Sequence, residues 1–372
     1  MRAAIVFVLL VAHPASACTF CTENVRAKPT LSMQFAAAHA VLVGTLKNPR
    51  VDPKTDEGFT DLHVSAALKG DAPNALTLRA YLPVIGETPA EYVAFCARAN
   101  GKLDATFGAP ATPALVDYLK GAAKLSATDR TARLAYYFKH LASADALVAG
   151  DAFVEFARAS DADIATAAKH FDPAVLRTLL ADDKTPTERV GVFAYLLGVS
   201  GGVNDAKFLA GLLAQDPLPE RVRESFGGLL AGYVLLAPND GWALAARVLG
   251  DDKRPFSVLL GTLQAVRFFQ ASQRDKCKPQ VLKCCAALLP NGDLADQAVE
   301  DLRRWGYWDL SAEVFAQFGK PSHAAPIVRR CIVRYALTCP SAEAKAFVTR
   351  AREADPKLVA TVEEQLKQFE KK

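Results

Sequence analysis

From Val41 to Phe107 apolar and polar positions alternate with the two-residue period of strands that bury one face. Leu62, Val64, Ala66 and Leu68 alternate with His63, Ser65, Ala67 and Lys69, and Leu76, Leu78, Ala80 and Leu82 alternate with Thr77, Arg79 and Tyr81. The run EYVAFCARANGKLDATF sets Asn100-Gly101 between two alternating segments, the signature of a tight hairpin. With AVLVGTL ahead of them, these segments predict about five antiparallel strands. A small barrel or sandwich is the expected closure, because an open sheet would leave unpaired edges.

After Gly108 the alternation ends and alanine- and leucine-rich helical patterns take over. Thr112-Pro113, Asp172-Pro173 and Asp355-Pro356 each set a capping side chain before a proline suited to the first helical position. Thr185 with Glu188 reads as a capping box at the head of TPTERVGVFAYLLG. Segments in this region also repeat. ERVGVFAYLLG from Glu188 matches ERVRESFGGLL from Glu220, with RPFSVLLGTLQAV and APIVRRCIVRYAL as further copies, and DAKFLAGLL from Asp205 matches DGWALAARVL from Asp240. A drifting period with two helices per copy predicts an α-solenoid. The tetratricopeptide pattern of fixed Trp, Gly and Tyr is absent, and the copies resemble degenerate HEAT repeats.

The N-terminus sets the compartment. Arg2, the apolar run Ala3 to Ala12 and Ala15-Ser16-Ala17 form a signal peptide with cleavage expected after Ala17. The run is too short to span a bilayer, which takes roughly 20 apolar residues. The chain is therefore expected in the periplasm, the cell envelope or outside the cell. Its 44 Lys+Arg against 40 Asp+Glu give a net charge of +4 spread along the chain, which points to neither nucleic acid nor an anionic membrane as partner.

Export changes the reading of the eight cysteines, since oxidising compartments favour disulfides over metal or redox use. Cys18 and Cys21 open the mature chain, and Cys96 is the expected disulfide partner of one of them. A redox role for Cys18-Thr19-Phe20-Cys21 would need a helix start within a βαβ unit, a context this region lacks. Lipidation of Cys18 is an alternative: Ser16 and Ala17 fit a lipobox, although Ala15 replaces the usual leucine. Cys277, Cys284, Cys285, Cys331 and Cys339 fall in the helical half, with inter-helix disulfides and buried thiols equally open.

The module from Cys18 to about Lys120 resembles the netrin and metalloprotease-inhibitor (NTR) domain family through its starting cysteine pair, AAAHAVLVGTL, AALKG and EYVAFC. The resemblance implies an OB-like barrel. It also implies an inhibitor reading, in which the free amine and carbonyl of Cys18 would ligate the zinc of a secreted metalloprotease. The sequence departs from that family in having Cys-x-x-Cys for Cys-x-Cys and too few cysteines for its disulfide set. The expected fold class is thus α+β and multidomain. A signal peptide (1–17) precedes a cysteine-containing OB-like β barrel or sandwich (18–108) and an all-α HEAT-like solenoid (109–372). The whole chain resembles exported bacterial proteins of this layout, a resemblance that implies no particular activity.

No catalytic constellation stands out. GVSGG at 198–202 matches a nucleophile-elbow string, with Asp309 and His323 as conceivable partners for Ser200. The preceding segment reads as helix rather than strand, so these glycines are expected to stop a helix and turn the chain. The six histidines have no metal-ligand spacing, and neither a metal nor a cofactor is expected. RRWGYWDL places Trp305, Tyr307 and Trp308 beside Arg303 and Arg304, a composition favoured at protein interfaces, and Arg329, Arg330 and Arg334 follow at helical spacing. Packing between repeats explains the same aromatics. The functional expectation is an exported protein-interaction scaffold, with the inhibitor and redox readings as alternatives.

Overall fold

The computed structural model describes residues 20, 23–84, 90–99 and 101–370. The expected signal peptide (1–17), Cys18, Cys21, Asn100 and the readings that rest on them lie outside the described residues. The fold is α+β. It divides into two compact units, Met1–Val175 and Leu176–Lys372. The change from alternating to helical sequence at Gly108 falls inside the first unit.

In the first unit, short helices α1 (Glu23–Ala27) and α2 (Leu31–Ala37) precede β1 (Ala40–Val51), β2 (Gly58–Lys69), β3 (Ala75–Leu78), β4 (Glu91–Ala99) and β5 (Lys102–Pro110). The five strands form one antiparallel sheet in the order β3-β2-β1-β4-β5, with Val43 opposite Val93 and Leu62 opposite Leu76. Leu42, Leu46, Leu62, Leu78, Ala94 and Cys96 from four strands share one buried face. The central strands are buried on their other face too, through Val41, Val93 and Phe95, which explains why AVLV and YVAF read as continuous apolar runs. Gly101 turns the β4–β5 hairpin at a φ of +77°, a left-handed conformation that glycine adopts without steric cost.

The sheet is open, which corrects the expectation of a barrel. Closure would need a ladder between β3 and β5, and β3 is only four residues long. The alternation that predicted a strand through Leu82 fails after Leu78 because Thr60 intercepts the backbone. Its hydroxyl donates to the Ala80 carbonyl at 2.9 Å and accepts from the Leu82 amide at 2.9 Å. Side-chain hydrogen bonds thus replace ladder pairing at that edge.

Four helices complete the unit: α3 (Pro113–Ala123), α4 (Arg130–Phe138), α5 (Ala146–Arg158) and α6 (Asp161–Ala167). Thr112 caps α3 as expected, accepting from the Leu115 amide at 3.0 Å. The helices are held by Tyr118, Tyr137, Phe138, Phe156 and Phe171, all buried. The buried Asp151 of α5 accepts from the Leu31 amide and from the Tyr118 hydroxyl, both at 2.7 Å, and so ties α2, α3 and α5 together.

Helix α7 (Pro173–Ala181) crosses the boundary between the units, and Asp172 caps it through the Ala174 amide at 2.8 Å. The second unit continues with α8 (Thr187–Ser200), α9 (Val203–Leu213), α10 (Glu220–Glu224), α11 (Phe226–Leu236), α12 (Pro238–Leu249), α13 (Phe256–Ser272) and α14 (Arg274–Leu288). After these come α15 (Ala295–Trp305), α16 (Ser311–Phe315), α17 (Pro326–Thr338), α18 (Ala342–Ala354) and α19 (Pro356–Glu370). The similar segments of sequence fall on α8, α10–α11, α13 and α17 for one and on α9 and α12 for the other, and the second copy of the first is broken at Ser225 where α8 is continuous. Helix α8 packs on α11, α11 on α13, α15 on α17 and α17 on α19, while α12 packs on α14.

Two local expectations are corrected here. Thr185 does not cap α8: its hydroxyl donates to the Leu179 carbonyl at 2.6 Å and closes the end of α7 instead. Of the GVSGG glycines, Gly201 and Gly202 do form the break between α8 and α9, but Gly198 is inside α8 and buried. A Cβ at Gly198 would sit 2.5 Å from the Gly232 Cα. The contact belongs to a seam in which a Cβ at Gly228 would lie 2.3 Å from the Gly191 oxygen and one at Gly227 2.6 Å from the Gly261 oxygen. Helices α8, α11 and α13 therefore meet backbone to backbone, an approach that any side chain at these positions would block.

Candidate functional site

Helix α15 turns Ala295, Ala298, Val299 and Leu302 into the core, at the spacing of one helical face. The residues between them, Asp296, Gln297, Glu300 and Arg304, must then face outward. They form one wall of a groove of about 640 Å³, which α17 and α19 complete with Arg330, Arg334, Gln365 and Gln368 and to which α13 contributes Arg267. Cys331 and Asp301 also line it.

Glu300 is the hub. Arg303 forks onto it with Nε 2.9 Å from Oε2 and Nη2 2.7 Å from Oε1, Arg304 donates Nε to Oε1 at 3.0 Å, and Arg334 Nη1 lies 3.6 Å from Oε2. Partial burial opposes ionisation of this carboxyl, but the hydrogen bonds and charges of Arg303 and Arg304 together hold it below the usual glutamate range. Deeper in, Arg267 donates Nε to Asp301 at 2.6 Å and Nη2 to the Gln297 amide oxygen at 2.8 Å. Here burial wins: Asp301 is raised above the usual aspartate range despite its guanidinium partner. Arg334 donates Nη2 to Gln365 at 3.1 Å, while its buried Nε has no hydrogen-bond partner. The Arg330 side chain makes no hydrogen bond or ion pair among the described residues.

The eight interface residues expected from sequence divide three ways. Arg304, Arg330 and Arg334 line the groove, and Arg303 supports it through Glu300. Arg329 points elsewhere, bonding Asp355 at 3.0 Å with its guanidinium 5.4 Å from the Phe318 ring centre. The aromatics serve packing. Gly306, at a φ of +70°, lets the Tyr307 amide reach back to the Leu302 carbonyl at 2.9 Å, which turns the Tyr307 ring inward. Tyr307 is buried and donates its hydroxyl to Gln270 at 3.0 Å, Trp305 stands 5.9 Å from it, and Trp308 packs edge-on to Tyr335 at 4.9 Å. Arg267, Asp296, Gln297, Glu300, Asp301, Ile327, Gln365 and Gln368 are the groove residues that sequence reasoning missed. The polar stripe of α15 opposite its apolar one was the available signal.

Cys96, Cys277, Cys284, Cys285, Cys331 and Cys339 are all buried free thiols. Burial pushes Cys96 and Cys331 up to about 11 and Cys284 to about 12, and it raises Cys277 and Cys285 as well, so none of these five offers a ready thiolate. Ser200 ends helix α8 with its hydroxyl on the Leu196 carbonyl at 2.8 Å. His323 is fully buried with Nε2 donating to the Leu289 carbonyl at 2.8 Å and Nδ1 accepting from Ser322 at 2.9 Å, while Asp309 pairs with Lys278 at 3.0 Å. Ser200, Asp309 and His323 thus all have structural partners. Among the described residues no group of three His, Cys, Asp or Glu side chains could hold a metal ion, and no helix is long and apolar enough to cross a membrane.

Comparison of the chain with protein-family models, with curated proteins and with solved structures returned no match. The functional reading therefore stands on the geometry.

Proposed function

We propose that the protein is an exported scaffold that binds a protein partner through its second unit, whose stacked hairpins form a HEAT-like solenoid. The observation that carries this reading is the groove of α15, α17 and α19, where partly exposed guanidinium and amide groups converge from separate helices. Stacked helical repeats expose such continuous faces, and arginine is enriched where proteins bind one another. The drifting repeat of the α8, α11, α13 and α17 segments supports the solenoid, and the N-terminal pattern of Arg2, Ala3 to Ala12 and Ala15-Ser16-Ala17 supports export. Binding is favoured over catalysis because, among the described residues, the six thiols are buried and Ser200 and His323 are committed to structural hydrogen bonds.

Photo-crosslinking tests the scaffold reading. Val203, Phe256 and Ile327 are large apolar side chains exposed to 74%, 56% and 53%, each near the start of a different helix of the second unit. A photoreactive residue at each position, introduced into the full chain in its native compartment, is expected to capture a protein that rebinds the purified chain. If no captured protein rebinds, the scaffold reading is refuted.

A further inference from the structure

We propose that the groove between α15, α17 and α19 is the docking site for an acidic peptide segment of the partner, with Arg330 receiving a carboxylate and Ile327 packing against an apolar side chain beside it. This rests on the scaffold reading and adds the chemistry of what is bound.

The charge balance comes first. Arg267, Arg303, Arg304, Arg330 and Arg334 face three carboxylates, Asp296, Glu300 and Asp301. Glu300 is shared by Arg303, Arg304 and Arg334, and Asp301 is taken by Arg267. Two positive charges remain over, and Arg330 is the arginine with no acid on it among the described residues. Hydrogen-bonding capacity is also left open. Arg304 is 66% exposed with its Nε alone engaged. Guanidinium groups with unused N–H donors match carboxylate oxygens in geometry as well as charge.

The groove also discriminates among anions. Asp296 lies on its wall without an arginine partner, which penalises the dense charge of a phosphate more than a single carboxylate. Ile327 stands three residues before Arg330 on the same face of α17 and is 53% exposed, so the ligand that uses both positions carries an apolar side chain next to its acid. The side-chain amides of Gln365 and Gln368 on α19 can pair with the main chain of an extended segment. Free phosphate has no use for either feature.

The test uses the full mature chain and a short fluorescein-labelled peptide of alternating leucine and glutamate, read by fluorescence anisotropy. The wild-type chain is expected to bind it, more weakly as salt rises, and to ignore the peptide with lysine in place of glutamate. Arg330→Glu is expected to weaken binding about 10-fold or more, Arg330→Lys to retain most of it, and Ile327→Ser to weaken it several-fold. Because the Arg330 side chain pairs with nothing among the described residues, its variants are expected to melt with the wild type, which separates lost docking from lost structure. No binding of the acidic peptide, equal affinity in Arg330→Glu, or displacement by stoichiometric tripolyphosphate overturns the assignment. A cross-linked partner that Arg330→Glu still retains at full affinity also overturns it while leaving the scaffold reading intact. Peptide binding at the groove with no rebinding partner from the cross-linking experiment refutes the scaffold reading alone.

Discussion

Substituting Gly228 by alanine sets two physical effects against each other. Gly228 is in α11, and on an exposed helix the change to alanine would stabilise by about 1 kcal/mol through the lower backbone entropy of the unfolded chain. In this seam the new Cβ would meet the Gly191 oxygen at 2.3 Å, its Cα at 2.4 Å and its carbonyl carbon at 2.5 Å. All three are backbone atoms of α8, so no rotamer change relieves the clash and the two helices must separate. Overpacking of this kind costs about 1 to 3 kcal/mol, and the close α8–α11 packing around it sits at the upper end, so a net loss of about 1 to 2 kcal/mol remains after the propensity gain. For a unit of the size of Leu176–Lys372 each kcal/mol corresponds to roughly 2 to 4 °C in Tm. Gly211 of α9 supplies the control, because it is exposed and a Cβ there meets nothing within 4 Å. Thermal melts followed by far-ultraviolet circular dichroism are expected to place Gly228→Ala below the wild type and Gly211→Ala at or above it. If both variants melt higher than the wild type, the backbone-to-backbone seam is not a feature of the folded protein.

Three other outcomes follow from buried groups. Burial lifts Asp151 from 3.8 to about 6, against the hydrogen bonds from Leu31 and Tyr118, so its folded form favours the proton; the associated stability, about 3 kcal/mol at most, is present at low pH and is lost as pH rises through about 6. Asp151→Asn can keep the Leu31 bond on its oxygen and reverse the Tyr118 bond, its NH2 donating to the hydroxyl, and its Tm relative to wild type is expected to climb between pH 4.5 and 8; a flat or falling difference contradicts this. Arg267→Met removes the partner of a carboxylate that is 9% exposed, and a urea titration is expected to show a loss of about 2 kcal/mol, recovered in large part by adding Asp301→Asn. Cys277, Cys284, Cys285 and Cys331 are expected to resist iodoacetamide at pH 8 until the protein is unfolded; rapid alkylation of the native chain, located by peptide mass spectrometry, would show that these thiols are not packed as described.

What could be read from the sequence was what depends on neighbours in the chain. The strand period, the Gly101 hairpin and the caps at Thr112, Asp172 and Asp355 are local, and the structure has each of them. The failures share a different cause. Leu82 continues an alternating pattern, and nothing nearby in sequence announces that Thr60, 22 residues earlier, will take its amide. Thr185 stands at a capping-box spacing, yet the carbonyl it satisfies belongs to the helix before it. The site divided along the same line. Arg303, Arg304, Arg330 and Arg334 were visible as a composition, and the pairs of Glu300 with Arg303 and Arg304 are local to α15, but Arg334 reaches Glu300 only when α15 and α17 are laid side by side, and Arg267 joins the groove from α13.

Helix α13 shows how one layer of helices serves two purposes. Gly261 faces the Gly227 backbone of α11, whereas Arg267, six residues on and so well around the helix, reaches across to Asp301 and Gln297 of α15. Toward α8 the layer is closed by residues with no side chain, and backbones exclude everything between them. Toward α19 it is spanned by long side chains, arginines and glutamines meeting acids and amides near their tips. Long polar side chains hold helices together without filling the space between them, and they leave donors over. The groove is therefore a consequence of where the helix contacts change from glycine to arginine, from backbones that close on one another to side chains with hydrogen-bonding capacity to spare.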